Sequence, residues 1–400
     1  CQAEPACQLW TYWFSPLPTH RHSSRAPADS HCELRETGLR NYDVGVISPA
    51  EANLTASGGA VSGSRLCRAP QDLHVPPGLQ LLNLESAEVQ HVVLDAAADA
   101  AITHDRAAAA LRQGGWAVAR NAVDLDHVRN LARAAKAVAG EMLALDDARV
   151  GNRGPRRYSF GGASSTHHMV HIDSWAKIYD SKFLNDVLMK AFQDDFVAVG
   201  GGGDFVLNAT YMHQRLHVDL QLEEMYNFAS PPAAIVANVA VHHVSCEEGP
   251  MRVVPNTQNI PLVVASDLTE DAGFERASTL EREGAALAKM GLPTVLVCPL
   301  QPGDVLLRDM RLWHGGMPNR GEFIRLLPSV EYLSRWYASF TSGTDDHFAL
   351  RPALPFTQWM SLSPEARLRT RDILALPSPV QAQVRPDFVR MLPLVAEDRI

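Results

Sequence analysis

The chain has 400 residues, 46% of them apolar, and a formal net charge of -9, a size that buries a substantial core in one large or two smaller domains. The acidic balance argues against general nucleic-acid binding, no apolar run approaches the ~18 residues that span a bilayer, and the oligomeric state stays open. Six cysteines, Cys1, Cys7, Cys32, Cys67, Cys246 and Cys298, form no C-x-x-C pair, so the expectation is a soluble intracellular protein of the cytoplasm without a disulfide framework.

Residues 1–70 are rich in Ser, Pro, Gly, Arg and His and lack helical or strand periodicity, which predicts a disordered, low-complexity segment ahead of one folded domain over 71–400. The chain starts at Cys1 and its first methionine is Met142, which reads as a fragment, a processed product or an over-extended frame. Organelle targeting is therefore unreadable at this end. Residues 81–93 predict a strand or a strand running into a helix, 97–111 a helix stopped by Gly114-Gly115, and 116–120 a strand. Asp124 or Asp126 is expected to cap a helix whose inner face carries Val128, Leu131, Ala135, Val138 and Met142. Residues 149–171 read as a loop containing Arg153, Arg156 and Arg157, which either receive an anionic group on a substrate or form a solvated basic surface. A helix is expected over 174–192, with Trp175, Ile178, Phe183, Val187 and Leu188 inward. Gly200 to Gly203 lacks the Lys-Ser/Thr of a phosphate loop and reads as a flexible turn between strands.

Strand signals then become dense, at 205–212, 234–244, 251–254, 294–298, 304–308 and 324–333, interrupted by a charged helical insertion at about 267–290. Short strands without alternating helices point to a β-sandwich or barrel. A C-terminal extension, 338–400, carries one predicted helix at 363–374.

Within this β-rich region lies Gln214-Arg215-Leu216-His217-Val218-Asp219. A histidine and an aspartate two apart on an extended chain project to the same face, so His217 and Asp219 can share one ion. His314, at the expected end of a strand, is the candidate third ligand. Two imidazoles and a carboxylate form the facial triad of non-haem Fe(II) oxygenases, with open positions for co-substrate and dioxygen. His171-Ile172-Asp173 has the same spacing, but Asp173 is better read as part of a helix cap. Arg325, eleven residues after His314, is expected to return on an adjacent strand and bind a carboxylate through two parallel hydrogen bonds. Its other reading is a structural ion pair or a surface arginine.

Residues 105–335 resemble the phytanoyl-CoA dioxygenase family of Fe(II)- and 2-oxoglutarate-dependent oxygenases. The resemblance rests on Gln214-x-Leu216-His217-x-Asp219, the run Glu248 to Thr257, Pro302-Gly303-Asp304-Val305, and His314-Gly315-Gly316-x-x-Asn319 with Arg325 downstream, in that order. It implies a mainly β fold with flanking helices, built on a double-stranded β-helix (jelly-roll, cupin-like) core at about 195–335. It further implies Fe(II) held by the catalytic residues His217, Asp219 and His314, 2-oxoglutarate anchored by Arg325, and O2 used to hydroxylate a small organic substrate, anionic or lipid-like, with release of succinate and CO2. Two departures stand out. Pro255-Asn256-Thr257-Gln258 replaces the usual Pro-Gly-Ser-His, and Gly316 stands where a hydroxyl often helps hold the co-substrate carboxylate. That contact then comes from elsewhere or is absent: Asn238, a lone amide in an apolar run, is a candidate or else a satisfied core asparagine, and Gln214 and Asn319 are further candidates. Asp219 disfavours halogenation, while desaturation, ring closure and epimerisation stay open. The rival classes are a non-catalytic metal-binding β-helix protein, acting as sensor or accessory subunit, and a zinc hydrolase, which lacks its H-E-x-x-H helix here.

Overall fold

Two central strands are covered on both faces: neither the apolar run Ala234–Val239 nor Arg325–Ser334, in which polar and apolar residues are mixed, has an exposed residue. The computed structural model describes residues 10–11, 64–65, 78–98, 100–161, 168–220, 231–260, 278–342, 350 and 354–375. Residues 75–147 and 151–400 form one unit, and residues 1–74 with 148–150 another, in which Trp10–Thr11 pairs antiparallel with Ser64–Arg65. The expectation of disorder over 1–70 otherwise lies outside the described residues.

In the larger unit the principal elements are β1 (Leu81–Asn83), β2 (Val93–Asp95), α1 (Ala100–Gly114), β3 (Trp116–Arg120), α2 (Leu125–Ala144), β4 (Arg157–Gly161), α3 (Lys182–Phe192), β5 (Phe196–Val206), β6 (Ala234–Val239), β7 (Met251–Val253), α4 (Ser278–Lys289), β8 (Thr294–Leu296), β9 (Val305–Asp309), β10 (His314–Gly316), β11 (Arg325–Ser334) and α5 (Arg335–Thr341). They build a seven-stranded sheet in the order β2-β3-β9-β6-β11-β5-β4 and a four-stranded sheet in the order β10-β7-β8-β1. Pairing is antiparallel except for β2 with β3 and β8 with β1, so the fold is two mixed sheets with flanking helices. Side chains alternate across a strand, and one face of the large sheet is apolar. There Val330 and Tyr332 of β11, Ile235 and Ala237 of β6, and Leu307 of β9 join a core with Tyr179, Leu188 and Phe192. The opposite face carries a smaller apolar cluster with Val236 and Leu333 at one end and the charged residues Arg308, Arg325 and Glu331 beside it, and there the site lies.

Local chemistry explains the ends of several elements. Asp124, not Asp126, caps α2, accepting from the His127 N–H at 2.8 Å. Gly115, at φ +82°, terminates α1 as its left-handed glycine. The helix expected over 174–192 is broken into a turn at Asp173–Ala176, a 3-10 turn at Lys177–Asp180 and α3, which Ser181 caps. Asp173 is the first residue of its turn and makes no cap bond. Residues 149–171 are not all loop, because β4 lies within them, and the strand expected over 205–212 ends at Val206.

Gly200 to Gly203 is the clearest correction, since the expected turn is the middle of the long strand β5. Aromatic side chains occupy the space that side chains on this strand would need: Trp175 Nε1 donates to the Gly202 carbonyl at 3.2 Å and the Tyr179 hydroxyl to the Gly200 carbonyl at 2.8 Å. A Cβ on Gly201 would lie 3.0 Å from Trp175, and one on Gly203, at φ +102°, would lie 2.2 Å from the Leu327 carbonyl oxygen. The expectation of unpaired cysteines is also overturned, because Cys246 and Cys298 form a disulfide of 2.07 Å. The neighbouring bridge between Val244 and Leu300 brings the two together across 52 residues, which spacing alone cannot reveal. Among the described residues no helix is long and apolar enough to cross a membrane.

Gly203→Ala is expected to cost about 1–3 kcal/mol, the range for a side chain forced into a sparsely populated backbone region. Gly140→Ala, in exposed helix with nothing within 4 Å of the new methyl, should instead stabilise by up to about 1 kcal/mol. Thermal melts of both variants check the pair.

Candidate metal centre and its charged surroundings

The segment after β5 forms no strand but is pinned by single bridges, one of which joins His217 to β10 at His314. The bridge is reciprocal: His217 N donates to His314 O at 2.9 Å, and His314 N to His217 O at 3.0 Å. The imidazole centroids are consequently 4.2 Å apart. Asp219 is held by its own N–H on the Met310 carbonyl at 2.9 Å. Its carboxylate oxygens lie 3.7 Å from His217 Nε2 and 3.5 Å from His314 Nε2. One ligand atom from each residue falls within 4.8 Å of the others, and this is the one such cluster found among the described residues.

Each imidazole is oriented from behind. His217 Nδ1 lies 2.9 Å from the Arg215 carbonyl and His314 Nδ1 2.9 Å from that of Leu312. A carbonyl can only accept, so Nδ1 carries the proton and the Nε2 lone pair faces the cluster. Arg308 Nη1, 3.3 Å from His314 Nδ1, is then a charge neighbour and not a donor to it. Burial, reinforced at His314 by Arg308, lowers both histidines, which keeps them in the neutral form that binds metals. Removal from water would raise the Asp219 carboxyl, but Arg308, His314 and His217 outweigh it and hold it well below the usual carboxylate range. Arg308 Nη2 donates to Asp219 Oδ2 at 2.7 Å. The donor set therefore fits divalent iron: two neutral imidazoles and one ionised carboxylate. The Asp219 side chain remains 30% exposed, so the cluster opens to solvent. The rival Asp173 lines a separate groove of about 900 Å³ with Asp124, His127 and Lys177, and no third ligand joins it there.

Arg325 does not lie on a strand adjacent to β10, as expected, but on β11 in the other sheet. It is 1% exposed. Its Nη1 and Nη2 meet the two carboxylate oxygens of Asp204 at 2.7 and 3.0 Å, and its Nε donates to the Gly249 carbonyl at 2.9 Å. Gln214 Oε1 accepts from the Gly316 N–H at 3.1 Å, fixing the residue two beyond His314. Asn319 spends its amide on the Val206, Phe323 and Gly321 backbones, closing the turn that leads into Arg325. Asn238 is 3% exposed and its Oδ1 has no partner.

The three arginines of 149–171 diverge. Arg153 is exposed, and its charge acts weakly on His217 and Glu331. Arg156 donates to the Asn208 carbonyl. Arg157 is 4% exposed beside Arg325, and burial, then Arg325, push it down to about 9, still charged at neutral pH.

Sequence reasoning missed Arg308, Asp204 and Glu331. The signal was there as period-2 polarity: Arg325, Ser329 and Glu331 share one face of β11, and Arg308 and Glu331 both stand opposite Val236, which puts them in one row. Glu331 is 7% exposed, its Oε2 has no partner, and burial, then Asp219, push its carboxyl up to about 8. The unfolded chain releases this proton near the ordinary glutamate value of about 4.3. Between there and about 8 the folded protein holds the extra proton, so stability falls as pH rises through that window. Glu331→Gln removes the dependence: between roughly pH 5 and 8.5 its melting temperature should fall less than that of the parent protein, both measured without metal. Equal slopes would mean that the carboxyl is ionised and partnered.

The model of the phytanoyl-CoA dioxygenase (PhyH) family matches residues 111–327. Among solved structures the chain is similar to the epimerase SnoN in complex with Fe3+, alpha ketoglutarate and nogalamycin RO, at 20% identity over 59% of this chain and 85% of that one, TM-score 0.42. It is also similar to EctD from S. alaskensis with 2-oxoglutarate and 5-hydroxyectoine, at 19% identity over 61% and 79%, TM-score 0.40. A third is AviO1 from Streptomyces viridochromogenes Tue57, at 18% over 59% and 96%, TM-score 0.38. Comparison with curated proteins gives no match.

Proposed function

The chain belongs to the phytanoyl-CoA dioxygenase family, whose chemistry uses iron, 2-oxoglutarate and O2, and on that premise we propose that it hydroxylates a small organic substrate at an iron held by His217, Asp219 and His314. The observation that carries the reading is the convergence of these three side chains, each already oriented and in its metal-binding protonation state. The order of the strands supports a double-stranded β-helix. From β5 the chain visits the large sheet, the His217 bridge, the large sheet at β6, the small sheet at β7 and β8, and then β9, β10 and β11 alternately.

When bound, iron, 2-oxoglutarate and O2 supply the oxidant that replaces a substrate C–H by C–OH, with succinate and CO2 as co-products. The protein's own groups position and tune. His217 and His314 present Nε2 because backbone carbonyls hold Nδ1. Arg308 keeps Asp219 ionised and fixes one of its oxygens. Arg325 and its neighbour Arg157 provide cationic charge for a diacid, and the exposed Arg153, whose charge is felt at His217 and Glu331, suits a substrate with an anionic group. Asn238 offers an unpartnered Oδ1 on the same sheet face, available to a donor on the substrate but not to 2-oxoglutarate, which has only acceptor oxygens.

Anaerobic addition of Fe(II) and 2-oxoglutarate should develop a visible charge-transfer band, which neither a zinc hydrolase nor a metal-binding sensor would give. Asp219→Ala should abolish both the band and succinate release, while Asp173→Ala leaves them largely intact; the reverse pattern would move the centre to the other pair. Arg308→Leu leaves Asp219 without its principal cation and is expected to weaken iron roughly 10–100-fold, the usual effect of losing a group behind a metal ligand, read by metal titration.

A further inference from the structure

We propose that Arg157 is a second anchor for the far carboxylate of the 2-oxo diacid, acting beside Arg325; the assignment deepens the oxygenase reading above and rests on it. Counting donors leads there. Arg325 spends Nε on the Gly249 carbonyl and turns both terminal nitrogens to Asp204. Arg157 spends only Nη2, on the carbonyls of Met212 and Met317. Its Nε and Nη1 are buried without a hydrogen-bond partner. Burying N–H groups of a charged guanidinium without acceptors is costly, and such groups are a prepared site for an anion.

Register and packing say where those donors lie. Arg157 stands opposite Val206, and Val206 opposite Arg325, so the two arginines share one row and one face, separated by a single strand. Nη1 of Arg157 lies against Gly316: a Cβ there would sit 2.5 Å from Nη1 and 3.5 Å from Cζ. Gly316 is two residues beyond His314, on the same strand, and Gln214 holds its N–H. The guanidinium thus fills the place of any side chain at 316, and glycine is there because only glycine leaves room for it. Charge agrees. Arg325, Asp204 and Arg252 all act on Arg157; Arg325 is paired with Asp204 and Arg252 with Glu283, which leaves the charge of Arg157 for one more carboxylate.

Calorimetric titration of the Mn(II)-loaded protein with two acids tests the assignment: 2-oxoglutarate, and 2-oxobutyrate, which has the chelating end but no far carboxylate. Arg157→Ala is expected to weaken 2-oxoglutarate roughly 10–100-fold, as for loss of a charge-assisted hydrogen bond, leaving 2-oxobutyrate and Mn(II) within about twofold. Gly316→Ala alone should weaken 2-oxoglutarate, because its methyl displaces the guanidinium without adding a hydroxyl donor. The same change added to Arg157→Ala should cause no further loss. Unchanged 2-oxoglutarate affinity in Arg157→Ala, or equal loss of both acids, would overturn the proposal, the latter by marking Arg157 as a prop for the Met212 and Met317 backbone. Should Arg157→Ala fail to fold, Arg157→Lys, which keeps the charge but loses the Nε donor, is read in the same way. A parent protein that binds Mn(II) but neither acid would instead sink the oxygenase reading itself.

Discussion

The pair of backbone hydrogen bonds that locks His217 to His314 is the constraint on which the rest of the site depends. The segment carrying His217 and Asp219 has no strand of its own, so this bridge, with the Gln214 N–H on the Gly316 carbonyl at 2.8 Å, gives it the register of β10. With the two backbones tied, the imidazoles must lie side by side, and Asp219, two residues on, reaches the same point. The charged insertion helix contributes from outside. Glu283 of α4 accepts from the Leu216 N–H at 3.0 Å and pairs with buried Arg252, so it holds the chain one residue before the first ligand. A helix that looks like a surface addition is therefore part of the scaffold of the centre.

Charge is the second organising principle. The site-bearing face of the large sheet and its surroundings bury Arg157, Arg252, Arg308 and Arg325 together with Glu331. Buried ion pairs contribute little net stability once desolvation is counted, whereas an unmatched buried charge is strongly unfavourable. Arg252 with Glu283, Arg308 with Asp219, and Arg325 with Asp204 are matched. Arg252 still buries Nε and Nη1, and Arg308 Nε, without a hydrogen bond, but each has its carboxylate; Arg157 and Glu331 keep unpartnered polar atoms and have no ion pair among the described residues either. Those two therefore carry the highest desolvation cost on this face, the cost that a bound carboxylate would relieve at Arg157. The arrangement also separates tasks: cations at the Arg157 and Arg325 end favour a carboxylate, while the metal ligands remain two neutral bases and one anion.

Glycine does work that composition alone does not announce. In β5 the run Gly200 to Gly203 admits Trp175 and Tyr179 onto the strand, and at Gly316 the missing side chain leaves room for a guanidinium. In both places a residue that reads as looseness in the sequence is a position where something large comes close.

The sequence by itself determined the family, the identity of the three metal-ligand candidates, a helix capped at Asp124 or Asp126 and the strand at 116–120, because these depend on local spacing, capping and the order of short motifs. It also held Arg325 as an arginine eleven residues past His314, but not its neighbours. Only the tertiary structure decided that Arg325 meets Asp204, that Arg308 supports Asp219, that Arg153, Arg156 and Arg157 go to three different places, and that Cys246 joins Cys298. The physical reason is the same in each case. Strand pairing and sheet order bring together residues far apart in the chain, and which face of a strand meets which neighbour follows from register, a property no single stretch of sequence contains.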